Sequence, residues 1–375
     1  IHMPMNNHIS YALRCSLCAL VIVLIGGTES VAQETAPIDS LARAFYADAN
    51  APGLVVGTLN GVDQQVRAYG VASYEDSTQV HEDTQFEIGS ITKVFVGLLL
   101  AQQVESNTVE LRDPVDAYLP DSVDVPTAND ASIELIHLAT HSAGLPRLPD
   151  NLAPANRFNP YVDYTEDKLY AYLSEARLAS PPGTSYAYSN LGTGLLGTAL
   201  AQHADTTLAA ALHQHILGPL QLDDTVLPAP TDSIPSNLAA GYDMFGAPTP
   251  YWYFDALAGA GALRSTPADM LRFLRAQLDP EATPLAEALR ATHNVQYQQA
   301  GGPTLGIGWH IQTLADGTPF YWHNGGTGGF RSFAGFSLEH NTALLILVNK
   351  AVPLQSFNAF AFECARLLAR TRDDS

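Results

Sequence analysis

Gly89-Ser90-Ile91-Thr92-Lys93-Val94-Phe95-Val96-Gly97-Leu98-Leu99-Leu100 opens a run that stays apolar as far as Val104 without β-turn punctuation. Such a run reads as a buried helix over 91–104, starting just after Gly89-Ser90. Residues three apart on a helix share a face, so the Lys93 amine can reach the Ser90 hydroxyl. A serine hydroxyl is a poor nucleophile until a neighbouring base takes its proton. Lysine can be that base only where burial or a nearby cation lowers its pKa. The apolar residues around Lys93 supply the burial, and a charged lysine there would need a partner. The helix start also offers free N–H groups to a developing oxyanion.

On either side of this helix the pattern changes twice. Before it, 54–59 and 65–69 are strand-like runs separated by Asn60-Gly61, a hairpin signal with which the folded part is expected to begin. After it, 105–255 is rich in helix-like stretches broken by proline loops, among them Leu145-Pro146-Arg147-Leu148-Pro149 and Ser180-Pro181-Pro182-Gly183. A helix is then expected over 266–278, with Pro267 in its first turn and Asp269 near its positive end. Strands follow over 307–313, 319–323, 332–337 and 342–348, and an amphipathic helix over 355–370 closes the chain. The expected fold is α/β in the α+β sense, an antiparallel sheet flanked by helices. The sheet domain takes 33–104 with 256–375, and the mostly helical domain inserted between them takes 105–255.

The whole chain constrains partners. With 38 acidic against 18 basic residues the formal net charge is -20, which repels nucleic acid. The lysines are Lys93, Lys168 and Lys350, and a surface so acidic fits either an ordinary acidic exported protein or one adapted to high salt. Residues 1–32 read as a vector scar, Ile1-His2-Met3, followed by an export signal. Arg14 supplies its charge, 15–25 its apolar stretch and Ser30-Val31-Ala32 its cleavage site. The stretch is short for a bilayer, so no stable span is expected after cleavage, and the protein is expected to be periplasmic or extracellular. Loss of Cys15 and Cys18 with the leader leaves Cys364 without a disulfide partner. Histidines lack the paired spacing of a zinc site, since His213 and His215 on a helix point to different faces, and neither metal nor cofactor is implied.

Two further segments carry chemistry. In Pro182-Gly183-Thr184-Ser185-Tyr186-Ala187-Tyr188-Ser189-Asn190, a phenol beside an ammonium can lose its proton near neutral pH and shuttle protons, while the Asn190 amide can orient a substrate carbonyl or the lysine. In His323-Asn324-Gly325-Gly326-Thr327-Gly328-Gly329-Phe330, glycines at a strand end let backbone approach a ligand closely. The Gly326 N–H can there complete an oxyanion hole with that of Ser90.

Together, Ser-x-x-Lys, a Tyr-x-Asn about a hundred residues later and a His-x-Gly triplet on a late strand resemble the β-lactamase and penicillin-binding-protein superfamily. The likeness is to its class C β-lactamase, DD-peptidase, D-amino-acid peptidase and carboxylesterase branch. It extends to Leu138-Ala139-Thr140-His141-Ser142-Ala143-Gly144-Leu145-Pro146 and to Gly261-Ala262-Leu263-Arg264-Ser265-Thr266-Pro267-Ala268-Asp269-Met270. The resemblance implies a β-lactamase/transpeptidase-like fold. It makes Ser90 the acylated nucleophile, Lys93 its activator, Tyr188 the acid/base, Asn190 a substrate binder and Gly325-Gly326 the oxyanion strand end. His141 falls in a structural loop and is expected to be buried and hydrogen-bonded. Where the lactamases carry Lys-Thr-Gly this chain has His323-Asn324-Gly325. A histidine neutral at physiological pH favours small uncharged esters over β-lactams or D-amino peptides, unless Arg331 supplies the missing cation. A penicillin-binding or scaffolding protein that acylates without useful turnover is the alternative.

Overall fold

The computed structural model describes residues 26–370. The expected scar and export signal therefore lie outside the described residues, except for 26–32, which belong to helix α1 (Gly26–Ala49). No helix among the described residues is long and apolar enough to cross a membrane. After α1 come strands β1 (Gly53–Asn60), β2 (Asp63–Gly70) and β3 (Phe86–Glu87), then helices α2 (Thr92–Glu105), α3 (Leu135–Ala139), α4 (Glu166–Glu175), α5 (Asn190–His203) and α6 (Leu208–Leu212). Short strands β4 (Gly241–Tyr242), β5 (Pro248–Thr249) and β6 (Arg264–Ser265) lead to helices α7 (Pro267–Leu278) and α8 (Ala286–His293). The chain ends in strands β7 (Tyr297–Gln298), β8 (Thr304–Leu305), β9 (His310–Thr313), β10 (Pro319–Gly326), β11 (Arg331–Ser337) and β12 (Thr342–Val348), with helix α9 (Leu354–Arg370) last.

The main sheet has the order β2-β1-β12-β11-β10-β9-β8-β7 and is antiparallel throughout. The last strand thus lies against the first, Leu54 opposite Val348 and Asn60 opposite Thr342. The apolar run of β12 is explained by burial on both faces. Leu344, Ile346 and Val348 pack with Leu54, Val56, Ile38 and Phe357 beneath α1 and α9. Leu345 and Leu347 point the other way, into the larger core that includes Val94, Phe95, Leu271, Phe273 and Leu289. Helix α9 meets the sheet through Phe357, Phe360, Ala361, Cys364, Ala365 and Leu368, an apolar stripe at helical spacing. The mostly helical insert is the chain between α2 and β6, and its α5 packs against α2 and α3.

Several boundaries differ from the sequence expectation. The hairpin turn is centred on Gly61-Val62, not Asn60-Gly61, because Asn60 still pairs with Asp63. Gly61 takes φ +58° at the first central position, the demand of a type II′ turn. The folded part does not begin with this hairpin either. Helix α1 precedes it, burying Ile38 and Ala42 and stacking Phe45 on Phe360 at 4.3 Å. For α7 the expectation holds: Thr266 caps it, its Oγ1 accepting from the Asp269 N–H at 3.2 Å, with Pro267 in the first turn.

Candidate active site

Ser90 sits in a 3₁₀ turn, Gly89–Ile91, that leads into α2, one step earlier and tighter than an α-helical first turn. Three contacts fix that turn. The Ile88 N–H donates to the Leu263 carbonyl at 3.1 Å, and the Ile88 carbonyl accepts from Ser332 Oγ at 2.7 Å. The Leu263 N–H in turn donates to Thr92 Oγ1 at 3.0 Å. Gly89 has φ +50°, and a Cβ there would lie 2.6 Å from the Gly326 nitrogen. A Cβ on Gly325 would lie 2.1 Å from the Ile88 carbonyl oxygen. Glycine at these positions is what lets the end of β10 lie against the Ser90 turn, and it brings Gly326 beside the nucleophile as expected.

Lys93 is fully enclosed, and its Nζ has three partners: Ser90 Oγ at 3.1 Å, Asn190 Oδ1 at 3.0 Å and the Ala260 carbonyl at 2.5 Å. Two of these only accept. The Ser90 hydroxyl can accept from an ammonium or donate to the lone pair of an amine, so the arrangement serves both protonation states. Desolvation, reinforced by the Arg147 charge, holds the Lys93 pKa well below the ordinary lysine value, toward the free amine. Asn190 is spoken for at both ends, since its Nδ2 donates to the Tyr161 hydroxyl at 3.1 Å. Of the two tasks expected of this amide, it performs the orientation of the lysine.

Tyr188 is half-buried, with Lys93 Nζ 5.0 Å from its ring centroid on one side and the Arg147 guanidinium carbon 5.2 Å away. Burial raises its pKa far more than the neighbouring Ser90 hydroxyl and the Arg147 charge lower it. The expected loss of the phenolic proton near neutral pH is therefore corrected: the lysine faces the ring and not the oxygen, and desolvation keeps Tyr188 protonated.

His323 requires a second correction. It is 1 % exposed and does not line the cleft. Its Nδ1 donates to the Asn324 carbonyl at 2.6 Å, its Nε2 has no hydrogen-bond partner, and its ring lies 5.3 Å from that of His310. Burial, then the charges of His310 and Lys93, hold its pKa well below the usual histidine value. The ring is drawn toward the neutral form, as expected, but it is enclosed beside Tyr188, ring centroids 6.3 Å apart, and does not face the open cleft.

The cleft over Ser90 has a volume of about 390 Å³ and is lined by Arg147, Tyr188, His310, Asn324, Gly325, Gly326, Thr327, Arg331 and Leu354. Arg331 lies where the sequence placed it, its Nε and Nη1 donating to the carbonyls of Val352, Thr327 and Phe330. Arg147, His310 and Tyr161 were not anticipated as site residues. Arg147 stands between the prolines of a loop, and nothing local to it says that it reaches Tyr188. A larger groove of about 700 Å³ is lined in part by Thr140 and Ser142, but Ser90 lines the smaller cleft, with Lys93 enclosed beside it. Among the described residues no group of His, Cys, Asp or Glu gathers to hold a metal ion.

With this geometry established, the β-lactamase family model matches residues 38–361. The chain belongs to the β-lactamase family. It is 28% identical over 359 residues to the D-alanyl-D-alanine-carboxypeptidase/endopeptidase AmpH of Escherichia coli strain K12, covering 91% of each chain. It is 28% identical over 339 residues to a β-lactamase of Yersinia enterocolitica, covering 80% of this chain and 83% of the other. In structure it is similar to a β-lactamase/D-alanine carboxypeptidase from Yersinia pestis, with TM-score 0.80 and 24% identity over 92% of this chain and 100% of that one. A class C β-lactamase from Rhodobacter sphaeroides superposes with TM-score 0.73 at 26% identity, over 88% and 98% of the two chains. This family member therefore has the class C β-lactamase fold, an antiparallel sheet with helices and a helical insert, and is a serine hydrolase of the β-lactamase/DD-peptidase type.

Proposed function

We propose that Ser90 carries out two-step acyl transfer on amide substrates that bear a carboxylate, β-lactams or D-amino peptides, ahead of small neutral esters. The observation that carries the reading is the Lys93 amine 3.1 Å from Ser90 Oγ, with its other hydrogen-bond partners already fixed. The amine takes the Ser90 proton as Oγ attacks the carbonyl carbon. The oxyanion lies between the N–H groups of Ser90 and Gly326. Tyr188, still protonated and lining the cleft beside Ser90, hands a proton to the departing nitrogen as the acyl bond breaks. Water then attacks the acyl carbon and gives a proton to the Tyr188 phenolate, and Lys93 returns its proton to Ser90 Oγ as the acid departs.

The leaning toward esters rested on a neutral His323 facing the substrate, and burial removes that support. The cations that line the cleft are Arg147 and Arg331, and either suits a carboxylate. The names of the curated relatives, a D-alanyl-D-alanine carboxypeptidase/endopeptidase and a β-lactamase, support the same substrate classes. Export remains part of this reading, supported by the leader pattern at 14–32. The test is intact-mass measurement after mixing with a chromogenic cephalosporin, a D-Ala-D-Ala peptide and a chromogenic neutral ester. A transient Ser90 adduct with either of the first two is expected. An adduct with the ester alone would overturn the carboxylate preference, and a permanent adduct would point to the penicillin-binding alternative.

A further inference from the structure

His141 enters the structure as a loop residue, buried and hydrogen-bonded as the sequence suggested, yet its contacts converge on one neighbour. Helix α3 ends at Ala139, and the Ser142 N–H donates back to the His137 carbonyl at 2.9 Å, the closing bond of a Schellman cap. His141 occupies the left-handed position of that cap with φ +56°, where a glycine would sit without strain. An imidazole at such a position needs a reason, and an observed backbone outlier beside a reactive group is a reason to look for one.

The reason is the segment that carries Tyr188. The His141 carbonyl accepts from the Ala187 N–H at 2.8 Å, and its Nδ1 accepts from the Ser189 N–H at 3.2 Å. Between these two anchors the imidazole lies against the Tyr188 ring, centroids 4.4 Å apart. One residue thus holds the backbone on both sides of the tyrosine and the face of its ring. The contact requires an unprotonated Nδ1. Burial, with the Arg147 guanidinium nearby, keeps it so.

We infer that His141 is a positioning residue, which fixes the Tyr188 hydroxyl against Ser90. The inference rests on the functional reading above, in which Tyr188 transfers a proton. A glycine at 141 relieves the backbone strain while removing both the ring and the Nδ1 acceptor. An asparagine tolerates the left-handed conformation and returns an acceptor oxygen near the place of Nδ1.

The experiment measures labelling of Ser90 by a biotinylated diphenyl phosphonate, whose phenoxide leaving group takes up a proton. It separates the maximal labelling rate, the probe concentration giving half that rate, and the fraction of protein finally labelled. His141→Gly is expected to lower the maximal rate about a hundredfold, the cost of a small misplacement, with the half-rate concentration and labelled fraction unchanged. His141→Asn should recover part of the loss. In a Tyr188→Phe background, His141→Gly should add little, because the group it positions is already gone. If Tyr188→Phe slows labelling but His141→Gly does not, or if the two losses multiply, the positioning role is wrong. Tyr188→Phe labelling at the wild-type rate would instead overturn the functional reading. Should His141→Gly fail to fold, His141→Asn decides: an unchanged rate overturns the inference, and a reduced rate with full labelled fraction supports it.

Discussion

The Lys93 amine and the Ser90 hydroxyl face each other at 3.1 Å inside a shell that offers the lysine no carboxylate. Its companions are an amide oxygen and a main-chain carbonyl, which favour the ammonium, but burial and, beyond them, the Arg147 guanidinium outweigh them and draw the pKa down toward the neutral amine. Removing the base should leave the fold standing and the serine idle. Lys93→Ala is expected to lower acylation about 10³-fold or more, read by stopped-flow with a chromogenic cephalosporin. Rates within tenfold of wild type would take the lysine out of the reaction.

Arg147 gives a prediction in two independent measurements. Its charge helps hold the Lys93 pKa down, so Arg147→Gln should raise that pKa and move the rise of acylation rate with pH to higher pH. The same change removes a cation from the cleft. The half-saturating concentration of a penicillin should rise about fivefold relative to that of a neutral ester, about 1 kcal/mol for one partly exposed pair. An unchanged ratio would leave Arg331 as the carboxylate partner.

Close approach of β10 to the nucleophile turn can be tested by adding one methyl group. A Cβ at 325 would meet the Ile88 carbonyl oxygen at 2.1 Å, Ser332 Oγ at 2.3 Å and the Ser90 nitrogen at 3.0 Å, so the nucleophile turn itself would have to shift. Gly325→Ala should cost about 1–3 kcal/mol in urea unfolding and nearly abolish phosphonate labelling of Ser90. A stable, fully reactive variant would mean that the oxyanion site is made elsewhere.

The buried histidines should draw stability down on mild acidification, against the opposite contribution of Glu87, whose carboxyl burial raises to about 7. Burial brings His293 and His310 each to about 4, and pushes His141 and His323 well below the usual histidine value. Between the unfolded value near 6.5 and the folded one, the unfolded chain binds protons that the folded chain refuses, so stability declines as pH drops across that window. For His293 alone the withheld free energy is about 3 kcal/mol once the pH is below 4. Urea midpoints measured from pH 7 to 4 should drop for the wild type and drop less for His293→Gln. Parallel curves would contradict the neutral, buried state.

The sequence was most legible where one period decided the matter. The serine and lysine were visible because helical spacing sets them on one face, and β12 because its apolar run is bounded by turns. Depth is harder to read. His323 and Gly325 share a face of β10 by alternation, yet one touches the Ser90 turn and the other lies behind it. Helix α1 carries Ile38, Ala42, Phe45 and Ala49 at helical spacing, but it runs on from the apolar leader pattern without a capping signal to mark its start. Arg147 and His310 enter the site from separate segments, and no local pattern in either announces the meeting.

The pairing of β1 with β12 bears on how the protein comes into being. The Gly53 N–H meets Asn349 Oδ1 across 296 residues of chain, and β11, whose Ser332 secures the nucleophile turn, is held to β1 only through β12. Contacts of such long range are slow to form, because the entropy of closing the loop is lost before any strand bond repays it. A nascent chain that has made Ser90, Lys93 and Tyr188 still lacks the wall against which the serine reacts. The enzyme is born unarmed, and its last strands to be synthesised are the ones that arm it.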